Sequence, residues 1–461
     1  ASVLKQLVAY VGQDSFLAGV RDYFGKHAWG NATLTDLLSS LEQESGRNLA
    51  DWSKSWLETA GVNTLQARFQ VGADGRFTSF AVHQDAAASH PELRTHRIAI
   101  GLYDRAGGQL TRRHRVELDI EGAVTEVPEL IGQPRPDLVL VNDDDLTFAK
   151  IRLDEHSLET VVSGISEFTD PLAATLCWAA AWDMTRDGEM STQDFLALVL
   201  AGAPSIAQIS VLERILAMAG QAARRYADPA WRPAAVAQFD EAVRGWLLTA
   251  EPGSDRQLTY AQALATVATS LASLDLLAGL LNGSAHVDGL AVDTELRWQF
   301  VRRLVSRGAA GPEVVEAELD ADLTDAGERH AQTCLASIPT AEAKEMAWAA
   351  ITGGALPNAT FRAALRGFAD IDQDELLAPY AERFYAALPD MWTDGASDMA
   401  QFFTKSGYPG SVISQQAIDA TTEYIEQTGA APALARLLTE GRDDVARALR
   451  CRERSIRASQ E

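Results

Sequence analysis

Histidine spacing is the first test of a metal centre in this chain, because an imidazole pair one helical turn apart can grip zinc while an adjacent glutamate serves as general base. The His-Glu-x-x-His pattern is absent, and no two of the eight histidines lie four residues apart. His83, His90 and His96 form the closest set, within a region that reads as strands. Three imidazoles on neighbouring strands could meet around zinc, but this spacing does not impose the convergence that zinc requires. Asp370-Ile371-Asp372-Gln373-Asp374 opens like a calcium loop. It departs from that pattern where Glu375 stands at the turn position reserved for glycine, and where Ala381 stands in place of the bidentate acid. The better-supported reading is a negatively charged helix start, favoured by the macrodipole. Asn142-Asp143-Asp144-Asp145 reads in the same way as a β-turn rather than a metal cage. No G-x-S-x-G elbow, Walker-type loop or G-x-G-x-x-G occurs, which removes the common hydrolase, nucleotide and dinucleotide readings.

The remaining reactive or sticky side chains have plainer explanations. Cys177, Cys334 and Cys451 are too widely separated to suggest a disulfide framework or a Cys-x-x-Cys site, and they fit a reducing compartment. Arg112-Arg113-His114-Arg115, the most basic stretch, enters a strand and reads as a solvated edge whose charge opposes aggregation. Trp178, Trp182, Trp231 and Trp348 sit in helical segments, where core packing outweighs ligand stacking.

The elements that must position these groups fall into three segments. Residues 1–61 read as helices. Val3, Leu4, Leu7, Val8 and Val11 follow helical spacing, and Phe16, Val20, Tyr23 and Phe24 share the face of a second helix. Thr33 with Asp36 suggests a capping box, Gly46 a stop, Asn48 a further cap, and Gly61 the end of the helix carrying Trp52 and Trp56. Residues 62–153 change to strand periodicity. Leu65 to Val71 alternates, Ala73-Asp74-Gly75 and Gly107-Gly108 turn the chain, and runs at 96–102, 114–120, 138–141 and 148–151 complete a small β-sandwich. Residues 154–461 return to Ala- and Leu-rich amphipathic runs such as Ile206 to Arg225 and Pro432 to Arg450, with prolines near helix starts. Helices of this length joined by short turns fit a stacked superhelical array of the HEAT or armadillo kind, without a strict sequence repeat. The fold class expected is therefore mainly α with a small all-β domain.

Charge sharpens this division. The net charge is −24. Residues 1–153 carry 16 Lys and Arg against 20 Asp and Glu, whereas residues 154–461 carry 24 against 44. An acidic body repels phosphate backbones, so nucleic acid is not expected as a partner. No apolar run is long enough to span a bilayer, and no membrane partner is expected.

Several segments, in order, resemble the C-terminal portion of the aminopeptidase N family. Ala1-Ser2-Val3-Leu4-Lys5-Gln6-Leu7 resembles the helix that follows the family's catalytic tyrosine. Tyr23-Phe24 with His27-Ala28-Trp29-Gly30-Asn31-Ala32-Thr33 resembles a family run of tyrosine, histidine, aromatic, glycine, asparagine, alanine and threonine, and Thr59 to Leu65 is close to actinobacterial members. Arg135 to Lys150 and Asp372 to Tyr380 continue the likeness. The resemblance implies the end of a thermolysin-like catalytic domain at 1–61, a β-sandwich at 62–153 and a helical C-terminal domain at 154–461. It implies a zinc-dependent parent enzyme that trims peptides from their N-termini in the cytoplasm, with the upstream catalytic domain as partner of this region. The zinc motif, the third zinc ligand, the Gly-x-Met-Glu-Asn segment and the catalytic tyrosine have no counterpart here. No catalytic, cofactor-binding or metal residue is therefore assigned, no zinc is expected on this chain, and it is expected to be inactive by itself. The amphipathic, uncapped start reads as a cut from a longer protein. The rival reading is a stand-alone helical scaffold that binds a protein or peptide partner. The acidic helical region could draw in peptides with free amines.

Overall fold

Side chains that satisfy free backbone groups set the starts of the third and fourth helices. A computed structural model of the protein describes residues 2–370 and 372–460. Ala1, which opens the first family-like segment, and Ile371, within the calcium-loop-like run, lie outside the described residues. Helices α1 (Ser2–Val11), α2 (Gln13–Lys26), α3 (Leu34–Ser45) and α4 (Leu49–Leu57) come first. Thr33 and Asp36 form a capping box: the Thr33 amide donates to Asp36 Oδ2 at 2.8 Å and the Asp36 amide to Thr33 Oγ1 at 3.4 Å. Two amides that would otherwise lack partners are thereby satisfied. Gly46 closes α3 in the left-handed region at φ 67°. Asn48 Oδ1 accepts from the amides of Ala50 and Asp51 and starts α4.

Two details depart from the sequence reading. α4 ends at Leu57, short of Gly61, and Gly61 at φ 96° lies so close to His90 that an added Cβ would stand 2.7 Å from the His90 Cβ. Glycine is needed there for close approach, not as a helix stop. Phe24, assigned to the apolar face of α2, is 66% exposed. α2 meets α3 at Gly19, where a Cβ would fall 2.7 Å from a methyl of Leu41. Five residues on, Phe24 lies about 140° around the helix from that contact.

The strands are β1 (Thr64–Val71), β2 (Phe77–Asp85), β3 (His96–Ala106), β4 (Gln109–Ile120), β5 (Val124–Glu126), β6 (Leu138–Asp143) and β7 (Lys150–Arg152). They form two small sheets, ordered β5-β2-β1-β7 and β4-β3-β6. β1 is antiparallel to β2 and parallel to β7; β3 is antiparallel to both its neighbours. The β1 alternation puts Leu65 and Ala67 inside, as a half-buried strand requires. β6 is apolar along Leu138–Val141 and buried throughout, which fits its place beneath neighbouring chain.

Helices then continue to the end of the chain: α5 (Glu155–Gly164), α6 (Pro171–Arg186), α7 (Thr192–Gly202), α8 (Ile209–Gln221), α9 (Arg232–Thr249), α10 (Asp255–Val267), α11 (Leu271–Asn282), α12 (Thr294–Ser306), α13 (Pro312–Ala321), α14 (Asp325–Ala336), α15 (Ala341–Thr352), α16 (Asn358–Phe368) and α17 (Asp374–Leu377). Four more, α18 (Tyr380–Met391), α19 (Asp398–Ser406), α20 (Gln415–Thr428) and α21 (Pro432–Ala458), complete it. The protein is mainly α, with its small sheets toward the N-terminal half. Pro171, Pro312 and Pro432 each occupy the first position of a helix, where the missing amide costs nothing. The run read as one helix from Ile206 to Arg225 breaks its period, because α8 passes into a π-helical turn at Ala222–Tyr226.

The chain divides into two compact units, Ala1–Met184 and Thr185–Glu461. In the first, Leu7, Leu41, Trp52 and Trp56 belong to the core of the early helices, and Trp178 and Trp182 are buried. In the second, Trp348, Phe361, Phe368, Phe384 and Phe403 belong to one aromatic core. Trp231 is half-buried at the start of α9. Among the described residues no single helix is long and apolar enough to cross a membrane, and the α10–α11 pair, apolar enough together, is bent by 119°.

Candidate functional sites

The three histidines with the best claim to a metal are not brought together as a ligand set. His96 starts β3 in one sheet, His83 lies on β2 in the other, and His90 lies in the connection between these strands, its Nδ1 3.0 Å from Ser89 Oγ. His96 is fully buried, edge-on to Trp56 at 5.1 Å. Its ring nitrogens are both engaged, Nδ1 at 2.8 Å from Thr147 Oγ1 and Nε2 at 3.2 Å from Asn63 Oδ1. The Asn63 Nδ2 donates to Glu92 O at 2.7 Å, so this amide turns its oxygen to His96. On that assignment Nε2 carries the proton and Nδ1 accepts from the Thr147 hydroxyl. Burial, and then the charge of Arg94, pushes the His96 pKa down to about 3. It is a neutral structural imidazole. Among the described residues no group of three or more His, Cys, Asp or Glu side chains could hold a metal ion.

The acidic run at the end of β6 closes as a β-turn, with the Asp145 amide donating to Asn142 O at 3.0 Å. Asn142, Asp144 and Asp145 all have positive φ, at 60°, 66° and 56°, a conformation that Asn and Asp tolerate better than other side-chain-bearing residues. Asn142 secures the loop by exchanging two 3.0 Å hydrogen bonds with the backbone of Thr147. Each carboxylate meets a cation. Asp143 accepts from Tyr103 Oη at 2.9 Å and from Arg112 Nη1 at 2.7 Å. Asp144 accepts from Arg112 at 2.8 Å and Arg115 at 2.7 Å, and Asp145 from Lys5 at 2.7 Å. For Asp144, burial raises the pKa but the two arginines outweigh it, so its carboxyl titrates below the usual range. The basic stretch on β4 does occupy a sheet edge. Its arginines are nevertheless not left to solvent: they neutralise this loop, Glu117 and Asp104.

The second acidic run behaves differently. Asp374 and Glu375 occupy the first turn of the four-residue α17, in keeping with the macrodipole reading. Asp372 instead faces three guanidinium groups: Arg303 Nη1 at 2.8 Å, Arg224 Nε at 3.4 Å and Arg307 Nη1 at 3.9 Å. Burial raises its pKa, but Arg224, Arg303 and Arg307 outweigh that and hold the carboxyl below its ordinary value. Gln373 Nε2 bridges Ser306 O at 3.0 Å and Ser337 O at 2.8 Å. Two cavities open on either side, one of about 630 Å³ beside Arg302 and Glu295, the other of about 520 Å³ beside Arg232 and Asp374. Sequence reasoning missed this cluster. The available signal was the spacing of Arg303, which falls on the same helical face as Phe300 and Leu304, where a solvated arginine would not sit. Arg307 follows one turn later on the same helix face.

The fold defines a class: a mainly helical protein with two small sheets toward its N-terminal half. The family described as ERAP1-like C-terminal domain matches residues 138–447. The chain belongs to this family, and it is a homologue of aminopeptidase N of the M1 metallopeptidases. It is 47% identical over 468 residues to aminopeptidase N of Streptomyces lividans, an alignment that covers 100% of this chain and 55% of that protein. A tricorn protease-interacting factor F2 of Thermoplasma volcanium is 25% identical over 173 residues, covering 37% of this chain and 19% of that protein. The solved structure of Legionella pneumophila aminopeptidase A in complex with aspartic acid superposes with a TM-score of 0.65 at 12% identity, over 96% of this chain and 56% of that one; it speaks for the fold alone. The chain thus spans about half the length of the Streptomyces relative.

Proposed function

We propose that this chain is the C-terminal part of a zinc-dependent aminopeptidase that removes N-terminal residues from peptides, and that it encloses the active site and controls peptide access. The observation that carries this reading is the 47% identity along the whole chain to an aminopeptidase N of which the chain spans 55%. On this reading residues 1–61 are the closing helices of a thermolysin-like catalytic domain, 62–153 a β-sandwich, and 154–461 a superhelical array of the HEAT or armadillo kind. The partner is the catalytic domain of the same protein, and the compartment is the cytoplasm.

Zinc would activate water and polarise the scissile carbonyl in such an enzyme. The donors here do not fit it. His96 has both ring nitrogens committed within a buried network, and the acids of the 142–145 turn are engaged by arginine, tyrosine and lysine. No step of hydrolysis is therefore derived through zinc on this chain. Its contribution is to bound the space that a peptide must enter.

Hydrolysis of alanyl- and leucyl-anilides provides the test. The 461-residue chain with added zinc is expected to give no turnover, whereas the native protein that contains this sequence, purified from its source, is expected to hydrolyse both in a chelator-sensitive way. Zinc-dependent turnover by the 461-residue chain would overturn the reading and direct mutation to His83, His90 and His96. A native protein without chelator-sensitive activity would favour the scaffold role instead.

A further inference from the structure

The aromatic core of the second unit borders a cavity of about 210 Å³ whose other walls are the loop from Ser406 to Ser411 and the middle of α21. Trp348, Phe368 and Tyr380 line it. Their rings pack on one another, with Trp348 5.4 Å from Phe368 and 5.3 Å from Tyr380, and Phe368 5.0 Å from Tyr380. The loop wall is held in place from two sides. Tyr408 Oη lies 2.8 Å from Thr421 Oγ1, and Gly441 leaves room for the Tyr408 ring, because a Cβ there would fall 2.7 Å from it. Arg225, in the π-helical turn at Ala222–Tyr226, donates through Nη2 to Gly410 O at 2.9 Å.

The charges on this cavity are unequal. Among the described residues that line it, Arg225 and Lys405 are the cations and Asp444 is the only carboxylate. Asp444 already has a partner in Arg447 Nη1 at 2.9 Å, and Arg447 is not part of the lining. Lys405 is exposed at the end of α19 and has no ion pair or hydrogen bond among the described residues. The Arg225 side chain makes only its bond to Gly410. Its Nη1 has no partner and is not enclosed, so solvent or a ligand reaches it.

A ring-lined cavity beside two unpaired cations suits a ligand that carries both a benzene ring and a carboxylate. The ring would bury its faces and edges against the three aromatic side chains. The carboxylate would match the planar fork of a guanidinium. Size agrees, since an apolar cavity of about 150 Å³ accepts benzene, and the larger volume here leaves space for a carboxyl group. We infer that this cavity binds a small aromatic monocarboxylate, with Trp348, Phe368 and Tyr380 against the ring and Arg225 and Lys405 at the carboxylate. The inference is independent of the peptidase reading, because it concerns binding to the 461-residue chain alone.

Thermal unfolding and calorimetric titration of the 461-residue chain test it, with sodium phenylacetate, phenylacetamide and sodium acetate compared at equal ionic strength. Phenylacetate is expected to raise the melting temperature saturably. Phenylacetamide keeps the ring and loses the charge, and should bind about tenfold more weakly. Acetate keeps the charge and loses the ring, and should give no saturable effect. Lys405→Gln changes an exposed side chain without a partner. It should leave the ligand-free melting temperature unchanged and weaken phenylacetate binding about fivefold. Arg225→Gln should abolish binding; should that variant fail to fold, Lys405→Gln still decides. Phenylalanine in the same titration separates two sources of this chemistry. Tighter binding than phenylacetate supports a free amino acid with its ammonium at Asp444, and weaker binding supports a simple aromatic acid. The absence of a saturable effect of phenylacetate, equal binding of phenylacetamide, or unchanged affinity in Lys405→Gln overturns the proposal.

Discussion

Two acidic runs, Asn142-Asp143-Asp144-Asp145 and the stretch from Asp370 to Asp374, resemble each other in sequence and differ in what they face. In the first, each carboxylate has a cation within 2.8 Å, and two of the partners, Arg112 and Arg115, come from the strand next but one in the same sheet. Each carboxylate of this turn is matched, by β4 of the same sheet or by Lys5 of α1. In the second, three arginines from the π-helical turn and the end of α12 converge on Asp372 alone. The number of acids in a run therefore says little about its chemistry. The local pairing is set by cations distant in sequence, and here the acidic run that looks most like a cation site is the one in which three arginines share a single carboxylate.

The most direct way to break this comparison is to remove the shared carboxylate. Asp372→Ala leaves Arg224 and Arg303 buried without their counter-ion, and breaking a buried pair by removing one partner costs about 3–5 kcal/mol. Urea unfolding followed by hydrogen exchange at the amides of α12 should show that loss within the second unit. Asp372→Asn keeps hydrogen-bond acceptance and should cost less. A loss below about 1 kcal/mol in Asp372→Ala would mean that solvent already screens the cluster as it does a surface pair.

A second test concerns the loop that holds Thr147 against His96. With its pKa near 3 in the folded protein and an ordinary value of about 6.5 when unfolded, His96 favours unfolding as pH falls. Between roughly pH 6.5 and 3 the unfolded chain takes up a proton that the folded chain does not. The first unit should therefore lose about 1.4 kcal/mol for each pH unit through that window, with no contribution from this group above it. Hydrogen exchange of β3 and β6 amides would read the slope. His96→Gln should flatten it, and an equal slope in both proteins would show that other groups drive acid unfolding.

Local features were the legible ones. Thr33, Asp36 and Asn48 announce their helices because a cap acts within three residues, and the Ala73-Asp74-Gly75 and Gly107-Gly108 turns are equally local. The mainly helical class with a small β region follows from periodicity over whole segments. What sequence could not show depends on contact at long range. Phe24 lost its burial because Gly19 sets the α2–α3 contact, and Gly61 serves His90 rather than its helix. The π turn after Gln221 leaves no mark in the apolar pattern. His96 could be named as a candidate ligand, but its commitment to Thr147 and Asn63 arises from residues 51 and 33 positions away. The Asp372 cluster joins residues 69 positions apart at its closest ion pair.

The smallest expected effect sharpens the comparison from the matched side. Asp144 is 29% exposed at its side chain and shares Arg112 and Arg115 with Asp143 and Glu117. Removing it in Asp144→Ala frees two guanidinium groups that solvent reaches and that keep other carboxylate partners, so the cost should be about 1 kcal/mol or less. The left-handed backbone at Asp144 adds to that cost, because Ala adopts positive φ less readily than Asp. Asp144→Gly separates the two contributions: it removes the same carboxylate while accepting the backbone conformation. If Asp144→Gly is as stable as the parent protein and Asp144→Ala is not, the ion pairs of this turn contribute little and its backbone geometry supplies the difference. If both lose the same amount, the salt links themselves hold the turn, and the contrast with Asp372 becomes one of burial alone.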